Sequence, residues 1–277
     1  MISVSSSTRI SLAFLCLMLS TPATAENNGL QQKLHPWGRF EPGAWKLVRV
    51  VTELFDEQGR LTSVSTADTK TTLSDIDDES VTLMVETCWE VAGKRFQSEP
   101  QTVRQGFHGE SLLSGLTLKE LTDGSVVIEG RKIPCKVQHL EVRSANEKTA
   151  VRLFFSPNLP PYILRRESTV SEADGERVLG QTEVEVIALE MPVKVRGLIK
   201  TGAYLKTTQK NDKGTALTLT VFVPDVPGGV VGYSLKESNH NGKLVRRSSL
   251  ELVDYGVEPE SERAGIFNRK RAARRAK

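Results

Sequence analysis

Much that would announce a biochemical role is missing. Only 3 of the 277 residues are cysteine, which excludes a disulfide-dense scaffold. The 4 histidines, His35, His108, His139 and His240, are scattered and never two within ligand spacing, so the paired-ligand grammar of a zinc site is absent. There is no Gly-rich phosphate loop. The stretch Gly109-Glu110-Ser111-Leu112-Leu113, beside His108 and Ser114, departs from Gly-x-Ser-x-Gly. Triads assemble in space, so a hydrolase survives as a third possibility without a motif behind it. Asp75-Ile76-Asp77-Asp78-Glu79 lacks the Gly and distal Glu of a calcium loop and reads as a solvated turn. Aromatics are 6%, and a formal charge of +3 is too small for a general nucleic-acid coat. No metal or cofactor is expected, and no specific nucleic acid.

The first 25 residues read as an address. Arg9 precedes a short apolar run from Ile10 to Leu19, followed by the small-residue site Ala23-Thr24-Ala25. That order is a secretory signal peptide. No later stretch holds 18 uninterrupted apolar residues, so a soluble periplasmic or extracellular protein is expected. Cys16 falls within the signal, leaving Cys88 and Cys135. In an oxidising compartment they form a candidate disulfide, and buried free thiols are the equal alternative.

Charge is segregated. Without Arg9 the chain keeps 36 basic residues against 34 acidic, and seven of the basic ones lie in 263–277 with no acid among them. The body is therefore near −5 and the tail +7. After the linker Glu258-Pro259-Glu260-Ser261-Glu262, the residues Arg269, Lys270, Arg271, Arg274, Arg275 and Lys277 are candidate tethers to a polyanion such as an anionic envelope surface. Each would contribute about 1 kcal/mol near anionic lipid. A solubilising, unstructured tail is the plainer alternative.

Between these ends the sequence alternates with period two. Val81, Leu83, Val85, Trp89 and Val91 share a face, and Thr182–Val186 repeats the habit. In 215–223 the apolar set Leu217, Leu219, Val221 and Val223 is expected inward. Helical spacing is best, though weak, over 111–121. Asp56–Gly59, Asp174-Gly175 and Asn241-Gly242 are hairpin turns.

Shifting the chain by 67 residues aligns Phe155-Ser156-Pro157-Asn158-Leu159-Pro160 with Phe222-Val223-Pro224-Asp225-Val226-Pro227, and Gly130 and Gly175 with Gly197 and Gly242. A strand runs into a Pro-x-x-Pro corner, a second strand leaves, and a Gly turn returns it. Prolines cannot donate to a ladder and so end pairing there. One mismatch stands out: Val151, Leu153 and Phe155 share a face, whereas their partners Thr218, Thr220 and Phe222 lie opposite the apolar set. A bulge or divergence would be needed to reconcile the copies.

The phrases Gly130-Arg131-Lys132-Ile133-Pro134-Cys135, Phe155 to Glu167, Gly43 to Val51 and Glu90 to Phe96 resemble a group of exported bacterial proteins of uncharacterised function. The likeness runs over most of 35–255 and implies export and no known activity. The strand-proline-strand-Gly-turn rhythm is similar, more distantly, to the lipoprotein-localisation-factor superfamily of periplasmic carriers. That resemblance implies a curved, half-open antiparallel barrel around an apolar groove and carries over no functional residue.

The reading is an all-β domain over 26–257, preceded by a signal peptide over 1–25 and followed by an acidic linker and basic tail over 258–277. Its architecture is a wide, twisted antiparallel sheet, half-open and barrel-like, built from repeated hairpin units (about 130–190 and 197–254) with few helices. The expected function is non-enzymatic: an envelope protein holding a lipid or amphipathic small molecule in the concave face, with Leu83, Val85 and Leu219 as lining candidates. The alternative is a structural or protein-interaction module with a filled core. Oligomeric state is not legible.

Overall fold

The structure, a computed structural model, describes residues 32–107 and 115–258. Within them a single helical turn at 32–34 precedes fourteen strands. These are β1 (Trp45–Phe55), β2 (Leu61–Ile76), β3 (Ser80–Val91), β4 (Lys94–Gln97), β5 (Gln101–Gly106), β6 (Gly115–Ile128) and β7 (Arg131–Arg143). They continue with β8 (Glu147–Phe155), β9 (Ile163–Glu172), β10 (Val178–Val195), β11 (Leu198–Asn211), β12 (Gly214–Phe222), β13 (Val230–Asn239) and β14 (Leu244–Gly256). The weak helical spacing over 111–121 is not realised where it can be followed, since Gly115 to Leu121 is strand.

All strands belong to one antiparallel sheet that does not close into a barrel. Its order is β4-β3-β2-β1-β14-β13-β12-β11-β10-β9-β8-β7-β6, with β5 beside β4 on the outer edge of β3. The chain is a plain meander from β6 to β14. It is joined by the β1–β14 ladder to a second meander running from β1 outward. Several strands exceed the usual five or six residues by far, and β10 runs to 18.

Residues directly opposite each other in an antiparallel ladder share a face, so faces can be traced by register. One row runs Trp89, Ala67, Val50, Leu250, Tyr233, Thr220, Leu205, Val186. This inner face carries most of the buried positions. The opposite, outer face is dominated by charge.

The inner face is covered unequally. In the wing from β6 to β12 the sheet rolls until β6 and β7 lie over β10, β11 and β12. Val126, Ile128, Cys135 and Val137 then pack against Val186, Leu205 and Phe222. The Glu129 carboxylate seals the overlap by accepting the Leu189 N–H at 3.3 Å. In the other wing the segment 32–44 acts as a plug, inserting Trp37 among Leu73, Val81, Leu83 and Phe107. Each such side chain, fully buried, contributes about 1.5–3 kcal/mol. The plug is tied to both corners: Arg39 donates to the Tyr162 hydroxyl at 3.0 Å, and Gly228 donates its N–H to Pro36 O at 3.2 Å.

The corners at 156–162 and 223–229 carry the same three backbone bonds at an offset of 67. Ser156 N to Tyr162 O (2.8 Å) matches Val223 N to Gly229 O (2.7 Å). Leu159 N to Ser156 O matches Val226 N to Val223 O, and Tyr162 N to Leu159 O matches Gly229 N to Val226 O. Register shifts precede both corners, at Phe154/Phe155 and Val221/Phe222.

The facing of β12 corrects the sequence reading. Thr218 and Phe222 are buried, and Leu219 is 45% exposed. Register links Leu153 through Arg166, Val184 and Thr207 to Thr218. The two copies therefore put equivalent positions on the same face. Inward threonines had disguised the parity; no slip separates the copies.

Candidate functional site: the open part of the inner face

Polarity on the inner face is graded along the strands, from the plugged end toward the end bearing the Gly59 and Gly242 turns. On β14 the inward series is Leu250, Ser248, Arg246; on β13 it is Tyr233, Leu235, Glu237; on β11 it is Leu205, Thr207, Gln209. The deepest layer is apolar, the next rich in hydroxyls, and the rim charged on β13 and β14 and amide-bearing on β11.

Between β3 and β13 this face is only partly covered. Trp89, Ala67, Val50, Tyr233 and Leu235 are half-buried, and Phe96 on edge strand β4 extends the same row while 54% exposed. Toward the rim the Thr52 and Ser248 hydroxyls lie 3.1 Å apart, and Tyr233 OH is 3.4 Å from Ser248 Oγ. Ser248 donates to Val51 O at 3.1 Å. One step further out Arg246 pairs with Glu237 at 2.7 Å, and its Nε is buried without a hydrogen-bond partner. The result is an apolar strip ending in hydroxyls and an ion pair.

Of the three lining candidates, Val85 lies half-buried on this face. Leu83 shares the face but is already occupied, 2% exposed inside the plug cluster. Leu219 lies on the outer face, because its neighbours Thr218 and Thr220 take the inward positions. Of the residues that do form the strip, Trp89 was legible as a strand residue. Their company was not, because β1, β3 and β13 are brought together only by the β1–β14 closure.

Cys88 and Cys135 are both free and buried. They sit on β3 and β7, with the central run of the sheet between them, so the candidate disulfide is not formed here. Cys88 Sγ accepts from Arg95 Nε at 2.8 Å, and burial pushes the Cys135 thiol up.

The outer face carries cross-strand ion pairs: Arg49 with Asp68 at 2.7 Å, Arg165 with Glu183 at 2.6 Å and Lys206 with Glu185 at 2.7 Å. Glu141 is held most firmly. Lys119, Arg143 and Lys148 lie at 2.8, 2.6 and 3.2 Å, and hydrogen bonds led by Lys119 hold its carboxyl down at about 2. Two shallow open depressions, about 250 and 370 Å³, adjoin one another on β6–β11 and share Glu167 and Thr169. His139 lines the second. Among the described residues no hydroxyl or thiol is hydrogen-bonded to a histidine, and no group of three metal-ligating side chains converges.

His35 is a packing residue. It is 2% exposed, its Nδ1 accepts from Trp37 N at 3.3 Å, and desolvation lowers its pKa to about 3. His240 sits in the β13–β14 turn. Asp77 caps the β2–β3 turn by accepting from Glu79 N and Ser80 N. The signal segment, the set around His108 and Ser111, and the tether candidates Arg269 to Lys277 lie outside the described residues. No described helix is long and apolar enough to cross a membrane.

No protein-family profile matches the chain, and no curated protein matches its sequence. Solved structures with distant similarity include a protein of Parabacteroides distasonis provisionally described as a lipoprotein (11% identity, TM-score 0.32). The alignment covers 78% of this chain and 97% of that one. A Bacteroides fragilis protein provisionally described as exported, with a YmcC-like fold, gives 8% identity, TM-score 0.31 and the same coverage. A DUF1329 family protein of Desulfovibrio piger gives 7% identity and TM-score 0.35, covering 87% of this chain and 95% of that one. None of these likenesses carries a functional assignment. What fold and site define is a class: a half-rolled antiparallel sheet with one filled wing and one wing that presents a polarity-graded inner face.

Proposed function

We propose that the chain is a non-catalytic protein of the cell envelope that holds an amphipathic ligand against the inner face of its open wing. The ligand's apolar part lies along Phe96, Trp89, Ala67, Val50 and Leu235. Its polar end meets the hydroxyls of Thr52, Ser248 and Tyr233 and the Arg246–Glu237 pair. The observation carrying this reading is the strip of half-buried apolar side chains on the inner face. Apolar surface facing the inside of a curled sheet and left uncovered by the described residues is the natural seat of a ligand.

The test is native mass spectrometry of the protein after incubation with extracted envelope lipids, for the parent and for Val50→Glu. A bound species in the parent, lost in the variant, supports the carrier. Absence of any adduct, with no gain in thermal midpoint, contradicts it. The filling of the rolled wing favours a second reading, a module whose whole interior is its own packing, and that outcome would support it.

A further inference from the structure

Charge is nearly absent from the inner face of the open wing. Between β3 and β13 the rows through Val50 and through Thr52 carry none among the described residues. In the rim row Arg246 faces Glu237 on one side and Leu54 on the other, and beyond these stand Ala216 and Ser63. The next cation on this face is Lys94, opposite Val91 on edge strand β4. It lies four strands from Arg246, about 19 Å at the usual strand spacing.

The rim pair is electrically closed, since Glu237 balances Arg246 at 2.7 Å. What stays open is hydrogen-bonding capacity. Arg246 Nε is buried without an acceptor, and a buried N–H left unmade costs free energy that one acceptor would recover. Two residues along β14, Ser248 spends its single proton on Val51 O at 3.1 Å. The hydroxyls of Thr52 and Tyr233, 3.1 and 3.4 Å from Ser248 Oγ, must therefore be the donors in those contacts. Each keeps lone pairs that can accept from a ligand. The polar end thus offers one unused donor, several acceptors and no spare charge.

We propose, resting on the carrier reading, that the ligand's head is neutral and hydroxylated, that of an acylglycerol. Its ester carbonyl accepts from Arg246 Nε, and its free hydroxyls donate to Thr52, Tyr233 and the Glu237 carboxylate. An anionic head matches the site poorly. A carboxylate or phosphate would set a second negative charge beside Glu237 with a single cation to serve both, and Thr52 and Tyr233 would turn lone pairs toward it. A fatty acid shares the tail and still lies along the strip, but binds more weakly.

The experiment is calorimetric titration of the protein with two probes of one chain length, 1-monolauroylglycerol and laurate, at pH 8, where laurate is ionised. The parent should bind one monolauroylglycerol per chain, at least tenfold more tightly than laurate. Thr52→Val/Tyr233→Phe should weaken monolauroylglycerol at least tenfold and leave laurate unchanged, because only the glycerol hydroxyls use those lone pairs. Glu237→Gln uncovers the charge of Arg246, so laurate should gain at least tenfold and the preference should reverse. Thermal midpoints near the parent's show that the variants are folded, and the comparison of probes on the parent decides without them. Laurate binding as tightly as monolauroylglycerol to the parent overturns the neutral head and leaves the carrier standing. So does a folded Glu237→Gln variant that keeps the parent's preference. Binding of neither probe overturns both.

Discussion

At the scale of single residues, burial decides more than chemical type. His35 is an imidazole held neutral inside the plug, against Phe107 and the Trp37 backbone. Its native pKa, about 3, lies below the ordinary imidazole value of 6.5. Between those values the unfolded chain binds a proton that the folded chain refuses. Stability is therefore undiminished above about 6.5 and falls as pH drops toward 3, by about 1.4 kcal/mol per pH unit. Denaturant titrations at pH 7 and pH 5 should differ by roughly 2 kcal/mol from this group, and His35→Asn should flatten that part of the slope. Thr218 and Leu219 teach the converse. Hydrophobicity alone pointed Leu219 inward, whereas hydroxyls fill the inner layer beside Thr207. A threonine can sit there because its β-branched methyl packs on a half-buried layer, so an alternating pattern fixes a strand without fixing which side is inside.

Elements were the most legible scale. Period-two alternation and Gly turns located strands such as β3, β12 and the middle of β10, and the 67-residue offset located both corners before their hydrogen bonds could be seen. The order of the sheet was not legible, because nothing local to β1 or β14 announces that they pair. Nor was the target of the plug legible, because Trp37 packs on Leu73, Val81, Leu83 and Phe107, all distant from it in sequence. The corners also yield a prediction. Gly229 has φ +70, and a Cβ there would fall 1.9 Å from the Phe222 ring, whereas Gly242, at φ +76 in the β13–β14 turn, has open space around it. Gly242→Ala should cost about 1 kcal/mol from backbone conformation alone. Gly229→Ala should cost several times that, because the ring must also move out of a filled core. Thermal unfolding of the two variants side by side checks the difference, and equal losses would show that the corner is softer than its packing implies.

For the whole molecule, one continuous sheet serves two purposes by being covered unequally. Rolling β6 and β7 over β10–β12 seals one wing, the plug seals one end of the other, and the strip from Phe96 to Leu235 remains. Of the three tryptophans, Trp37 and Trp45 are buried and Trp89 alone is half-open on that strip. Fluorescence can therefore report on the strip itself. Titration with a brominated fatty acid should quench part of the emission saturably, at one ligand per chain. Trp89→Phe should abolish the quenching, Val50→Glu should weaken it at least tenfold, and Leu219→Glu on the outer face should leave it unchanged. Quenching that never saturates, or that survives Trp89→Phe, would contradict an amphipath lying along the inner face.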